Sequence, residues 1–179
     1  FKNISINKMK FIKLTFILVA IIFLYTANSA NAKCNFKGLK LGDDISKVDE
    51  ISDNIVEMKT SVVSVFVEPE IACPDENLGD SIINITFIED KLASFRISTR
   101  LDINNGEIKK KLLYNYVEKE YGKVDPNNDP NWTGFKVWKD GEKTIVYKKM
   151  YDASNTFMEE KLFITNKEYR EKLIEFRVE

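Results

Sequence analysis

The chain contains no histidine, the side chain that most often transfers protons near neutral pH and most often binds zinc. Catalytic arrangements of the Ser-His-Asp and Cys-His types are therefore excluded. A serine with a lysine base, or a pair of carboxylates, remains. Because a glycosidase needs two carboxylates that converge from different elements, we interpret the adjacent acids as solvated helix starts and loops and predict that the chain is not an enzyme. The adjacent acids are Asp43-Asp44, Asp49-Glu50 and Glu159-Glu160.

A second candidate site is the loop that begins at Asp125. Asp125, Asn127 and Asp129 place oxygen ligands at alternating positions, as in an EF-hand. Pro130 stands where that motif needs its glycine, and Lys136 stands where it needs a bidentate glutamate. We therefore interpret this segment as a turn-rich loop and predict no metal and no cofactor.

Aromatic residues gather around a predicted hairpin of residues 135–139 and 143–149. In a strand, Trp138 lies on the face opposite Phe135 and Val137. If these two residues point into the core, Trp138 points away from it and forms, with Trp132, a contact patch for a protein or a sugar. The alternative is that the last helix, or a second layer, covers Trp138. The candidate partner-binding residues are Trp132, Trp138, Tyr147 and Tyr151.

Residues 9–32 have the three parts of a bacterial export signal. A short positive end over residues 9–13 is followed by a 12-residue apolar run over residues 14–25. Small residues at Ala30 and Ala32 then suit cleavage after Ala32. The alternative is a membrane anchor, but a spanning helix needs about 20 apolar residues.

Cleavage after Ala32 leaves residues 33–179 as a single domain, and we interpret residues 1–8 as upstream read-through. Loss of four lysines and no acids changes the net charge from −1 to −5, which argues against nucleic acid or an anionic membrane as the partner. We expect a periplasmic or secreted protein without a membrane span, with a protein as its partner and its oligomeric state left open.

Cys34 and Cys73 are the only cysteines. Export places both where thiols oxidise, so we predict one disulfide between them. They lack the Cys-x-x-Cys spacing of a redox pair. The bond is therefore expected to be structural and to tie the start of the mature chain to the loop around Pro74.

Hydrophobic periodicity predicts an α+β domain, in which an antiparallel sheet built from hairpins has helices packed on one face. A helix followed by about three strands occurs twice in this order, which suggests a duplicated unit. Residues 150–159 are predicted to be a polar connection. The predicted helices cover residues 43–51, 106–121 and 167–176. The predicted strands cover residues 55–68, as one strand or a bent pair, and residues 83–87, 95–101, 135–139, 143–149 and 161–165.

The stretch Phe36-Lys37-Gly38-Leu39-Lys40-Leu41-Gly42, followed by Ile45 and Val48, resembles the opening of many small secreted bacterial proteins with no assigned function. It is also similar to the start of the outer-membrane assembly lipoproteins of the SmpA/OmlA type. The similarity covers about a dozen residues, and the chain lacks the lipidated cysteine of those lipoproteins. It therefore implies no role for any particular residue.

These observations favour an exported, non-catalytic binding protein, such as an inhibitor or accessory that recognises an envelope protein. The alternatives are a carboxylate-dependent hydrolase and an envelope assembly or structural accessory.

The export signal gives the first testable prediction. Intact-mass measurement of the protein recovered from the periplasm or medium is expected to show an N-terminus at Lys33, because the residues before it suit signal peptidase. A mass that retains residues 9–32 would contradict the prediction.

Overall fold

The computed structural model describes residues 34–48, 55–59, 61–103, 106–127, 129 and 131–175. These residues belong to one compact unit, Lys33–Glu179. The predicted export signal, the upstream residues 1–8 and the pair Asp49-Glu50 lie outside the described residues.

Seven antiparallel strands form one sheet in the order β1-β2-β3-β4-β7-β6-β5. β4 pairs with β7 from Ser94 to Asp102, which joins the first four strands to the last three. The predicted α+β fold with a hairpin-built antiparallel sheet is therefore confirmed. The strands are β1 (Ile55–Lys59), β2 (Val62–Val67), β3 (Ile82–Ile88), β4 (Lys91–Asp102), β5 (Gly134–Asp140), β6 (Lys143–Tyr151) and β7 (Phe157–Asn166).

The two halves of the sheet differ in their number of strands. β1 to β4 lie on one side of the β4–β7 junction and β5 to β7 lie on the other. A short helix, Pro69–Ala72, also stands between β2 and β3, so the first half is not a helix followed by three strands. The suggested duplicated unit therefore stays a prediction.

Within the described residues, three α-helices accompany the sheet: α1 (Pro69–Ala72), α2 (Leu112–Tyr121) and α3 (Lys167–Glu175). α2 ends as predicted at Gly122, whose φ is 90° and whose N–H donates to the Glu118 carbonyl. α3 begins as predicted at Asn166, whose side-chain oxygen accepts the Tyr169 N–H at 2.9 Å. Short 3₁₀ helices cover Phe36–Gly38, Ile45–Val48 and Glu107–Lys110.

The main core lies on one face of the sheet, which we call the covered face. Leu113 and Val117 of α2 pack onto it, and Phe36 stacks on Phe95 of β4 with the ring centroids 4.1 Å apart. The strand side chains that form this face are Val65, Val67, Ile83, Ile85, Phe87, Phe95, Ile97, Ile145, Tyr147, Leu162 and Ile164.

α3 packs against a separate, smaller cluster. Its Tyr169 and Leu173 contact Val62, Ile88 and Ala93, and Ile88 points away from the covered face because it follows Phe87 in β3. The last helix therefore covers one end of the opposite face, so the helices pack on both faces of the sheet and not on one as predicted. We call the remainder of that face the open face, because no described helix packs on it.

The connection between β6 and β7 is shorter than the polar segment 150–159 predicted from the sequence. β6 continues to Tyr151 and β7 starts at Phe157. Asp152 makes this short turn, since one of its carboxylate oxygens accepts the N–H groups of Thr156 and Phe157 at 2.8 and 3.0 Å. The prediction was wrong because the local polarity of the turn residues concealed the strand pattern on each side.

The predicted disulfide is confirmed, and it joins Cys34 to Cys73 at the end of α1. Both cysteines are buried in the main core. The bond therefore anchors the first described residues, including Phe36, against the sheet.

Replacement of both cysteines in a C34S/C73S variant is expected to lower the free energy of unfolding by about 4 kcal/mol, because the bond restricts a loop of about 40 residues in the unfolded chain. Urea unfolding of the oxidised protein and the variant measures this difference. Wild type treated with a reductant serves as the control and should match the variant. Equal unfolding midpoints for oxidised wild type and variant would contradict the predicted stabilising role.

Candidate functional site

The structure places all four predicted aromatic residues on the covered side of the sheet, but to different depths. Tyr147 is fully buried, and Trp132 stacks on it with the ring centroids 6.2 Å apart. Trp138 is half-buried, and its ring centroid lies 5.9 Å from that of Tyr121 in α2. Tyr151, at the end of β6, is exposed. Tyr147 therefore supports the core and has no surface to offer a partner in this conformation.

Trp138 projects from the face opposite to that of Phe135 and Val137, as predicted. The patch hypothesis placed Phe135 and Val137 in the core and Trp138 outside, whereas the structure shows the reverse. Phe135 is 73% exposed and Val137 is 45% exposed. The interpretation in which a second layer covers Trp138 is the one that the structure bears out, because α2 supplies Tyr121 there. The register of the hairpin could have predicted that Trp138 is covered, because it pairs Trp138 directly with Ile145, a core residue on the same face.

The exposed hydrophobic residues concentrate on the open face. Of the eight large hydrophobic residues that are exposed in the described part of the chain, five project from this face. They are Phe66, Ile82, Phe135, Val137 and Met150. Such concentration on one surface is typical of an interaction site.

Two rows of directly paired residues cross the open face. In the first row, Phe135 and Ile82 form the two ends, and Lys148, Lys161 and Ser98 lie between them. The second row crosses six strands, so it spans about 24 Å at a strand spacing of about 4.8 Å. The second row consists of Val137, Val146, Phe163, Arg96, Asn84 and Phe66.

A third, shorter row flanks the first and consists of Met150, Glu159 and Arg100. The Glu159 carboxylate accepts a hydrogen bond from Lys161 Nζ at 2.9 Å. Arg100 stacks on the Phe157 ring at 4.1 Å and lies 3.7 Å from an oxygen of Asp152. The open face therefore combines apolar ends with a charged middle.

The members of each described acidic pair have separate environments. Glu159 and Glu160 are adjacent in β7, so their side chains point to opposite faces of the sheet and cannot meet the same substrate. Asp43 pairs with Lys47 at 2.7 Å, and Asp44 pairs with Lys91 at 3.2 Å.

Hydrogen bonds are the main cause of the lowered pKa values of Asp43 and Asp44. The bond from Lys47 is the main cause that lowers the pKa of Asp43. Hydrogen bonds from Ser46 lower the pKa of Asp44 to about 2. Both carboxylates are therefore ionised partners of nearby cations and backbone groups.

Glu160 belongs to a buried polar cluster beneath α2. It is 2% exposed and stands directly opposite Lys149, and it accepts the Tyr114 N–H in the first turn of α2. Burial raises the pKa of Glu160 and lowers the pKa of Lys149. The centroid of the Tyr114 ring lies 5.4 Å from Lys149 Nζ and 5.6 Å from Lys111 Nζ. This cluster fixes the start of α2 on the sheet, because α2 has no side-chain cap of its own.

A cavity of about 590 Å³ lies at one end of the covered face. Phe95, Ile145 and Ile164 form part of its lining, together with Asp140 and Lys143 of the β5–β6 hairpin. Residues 34–41 contribute to another wall, so its shape depends on the disulfide that holds this segment. Its volume is within the range that small-molecule sites occupy.

The loop at Asp125 is held by its own backbone. The carboxylate of the buried Asp125 accepts the Asn127 N–H at 3.0 Å and the Asp129 N–H at 2.6 Å. Both carboxylate oxygens are thus committed to a turn. Across the part of the chain that the structure describes, no group of three or more acidic or sulfur side chains is placed to hold a metal.

No protein-family model, curated protein or solved structure matches this chain. None of the described helices has the length and apolar character needed to cross a membrane.

The opposite environments of Glu159 and Glu160 predict opposite pH effects on stability. Folding raises the pKa of Glu160 above 4.5, so its contribution is fully present below pH 4.5 and is lost as the pH rises through the raised pKa. Wild type should therefore lose free energy of unfolding relative to Glu160→Gln between pH 4.5 and pH 7.5. Urea unfolding at the two pH values measures the difference.

Glu159→Gln is the matched control. A hydrogen bond from Lys161 lowers the pKa of Glu159 below 4.5, so its contribution is present above pH 4.5 and is lost as the pH falls below it. The difference between this variant and wild type should stay constant from pH 4.5 to pH 7.5. A constant difference for Glu160→Gln as well would show that burial does not affect its ionisation.

Proposed function

We propose that this protein is an exported, non-catalytic binding protein whose open face contacts a protein partner of the cell envelope or exterior. The observation that carries the proposal is the concentration of exposed apolar residues on one sheet face that no described helix covers. Exposed apolar residues scattered singly over a surface need no explanation, whereas their concentration on one face marks an interaction site.

The dimensions of the open face favour a macromolecular partner. Its longest row spans about 24 Å, and its residues come from six strands of one rigid sheet. Small-molecule sites are instead concave and enclose their ligand. A broad face that carries both exposed apolar and charged side chains resembles a protein–protein interface, which is about as apolar as the rest of a protein surface.

The disulfide supports an exported location, because such bonds form and persist in oxidising compartments. The separation of Glu159 from Glu160 gives no support to the alternative of a carboxylate-dependent hydrolase at that pair. An envelope assembly accessory would use the same face, and the identity of its partner would distinguish it from an inhibitor.

The proposal is tested by capture of partners on wild-type protein and on an I82S/F135S variant. Ile82 and Phe135 are both more than half exposed and form the two ends of one row, so polar replacements should preserve the fold. An envelope partner is expected to bind wild type and to be recovered at least about tenfold less on the variant, because interface cores depend on a few apolar anchors.

The matched control is an I71S/I174S variant. These two isoleucines are also exposed, but they lie on α1 and α3 and away from the rows of the open face. The control should recover the same partner as wild type. Equal recovery of every captured protein on all three forms, quantified by mass spectrometry, would overturn the proposed role of the open face.

A further inference from the structure

We infer that the open face binds an acidic protein surface, in which carboxylates stand between apolar side chains. This inference rests on the proposed function and specifies the chemistry of the partner. The supporting observation is a pair of directly opposed lysines on the open face, an arrangement that destabilises the folded sheet.

Two lysines face each other across the centre of the open face. Lys148 of β6 is directly opposite Lys161 of β7, a position in which side chains lie about 5 Å apart at their Cβ atoms and like charges destabilise a sheet. Lys161 is partly compensated by Glu159. Lys148 is exposed and makes no ion pair within 4 Å among the described residues, although its charge also acts on Glu159 at longer range. An anion from outside the chain would relieve the repulsion between the two lysines.

The charge of the open face is opposite in sign to that of the whole mature chain. Its three rows contain four cationic side chains and one acid, whereas removal of residues 1–32 would give the chain a net charge of −5. The cations are Arg96, Arg100, Lys148 and Lys161, and the acid is Glu159. Charge complementarity therefore selects an acidic partner and speeds its association.

The position of the apolar residues favours a protein over a lipid surface. In the first row, Phe135 and Ile82 stand at the two ends, about 19 Å apart across four strand spacings, and the lysines stand between them. A membrane-binding surface instead inserts a continuous apolar stripe and places its cations at the border. A protein can present two apolar contacts with carboxylates between them.

The experiment uses the oxidised protein and a named probe, the random copolymer of glutamate and tyrosine, which presents carboxylates and aromatic rings together. Titration by calorimetry is expected to show saturable binding that weakens at least about fivefold between about 50 and about 300 mM NaCl, because salt screens exposed charges. NMR shift mapping should place the copolymer on the three rows.

Lys148→Glu and Lys143→Glu form a matched pair of variants. Both lysines are exposed on β6 and both changes alter the net charge equally, but residue 143 projects from the covered side, opposite Asp140 and Asn166. Lys148→Glu should weaken copolymer binding at least about fivefold while raising the unfolding midpoint, because it replaces a like-charge pair with an opposite-charge pair. Lys143→Glu should leave binding within about twofold of wild type.

Three outcomes with these probes would overturn the inference, and so would a fourth outcome with a captured partner. The copolymer does not bind, both variants weaken it equally, or vesicles of phosphatidylglycerol bind through Lys148 while the copolymer does not. The last outcome would assign the face to an anionic membrane instead. If binding of a captured envelope partner requires Ile82 and Phe135 but is unaffected by Lys148→Glu, the inference of an acidic partner is wrong. The proposal that the open face binds a protein is then still supported.

Discussion

The pairing of β4 with β7 is the interaction on which the rest of the structure depends. The two strands are neighbours from Ser94 to Asp102, although more than 50 residues of chain separate them at every pair. Without this pairing, each half would be a small meander with a single face to bury. Once the two strands pair, the rows that cross the sheet become continuous, and both the main core and the open face acquire their full width.

The two-residue repeat of a strand then divides the residues into two environments. On β7, Leu162 and Ile164 enter the core, whereas Lys161 and Phe163 face outwards. A shift of register by one residue would exchange these sets and bury Lys161. The core and the candidate binding surface are therefore specified by the same pattern, so a change in one strand affects both faces.

Much of the fold could be predicted from the sequence because local signals were strong. Gly122 and Asn166 marked helix ends, and the disulfide followed from two cysteines behind an export-like leader. The candidate surface could not be predicted in the same way. Alternation separates Trp138 from Phe135, but it does not state which side a helix will cover, and that choice depends on the contact of Trp138 with Tyr121 of α2.

β5, one of the two edge strands of the sheet, has a further consequence for how copies of the protein meet. It pairs with β6 alone among the described strands, so one side of its backbone is available to another strand. Lys136 and Lys139 occur along it, beside the exposed Phe135 and Val137. Lysines on an edge strand discourage the edge-to-edge pairing of sheets from different molecules, which leads to aggregation. The exposed apolar side chains proposed for recognition thus lie beside edge-strand lysines, which oppose aggregation through strand pairing.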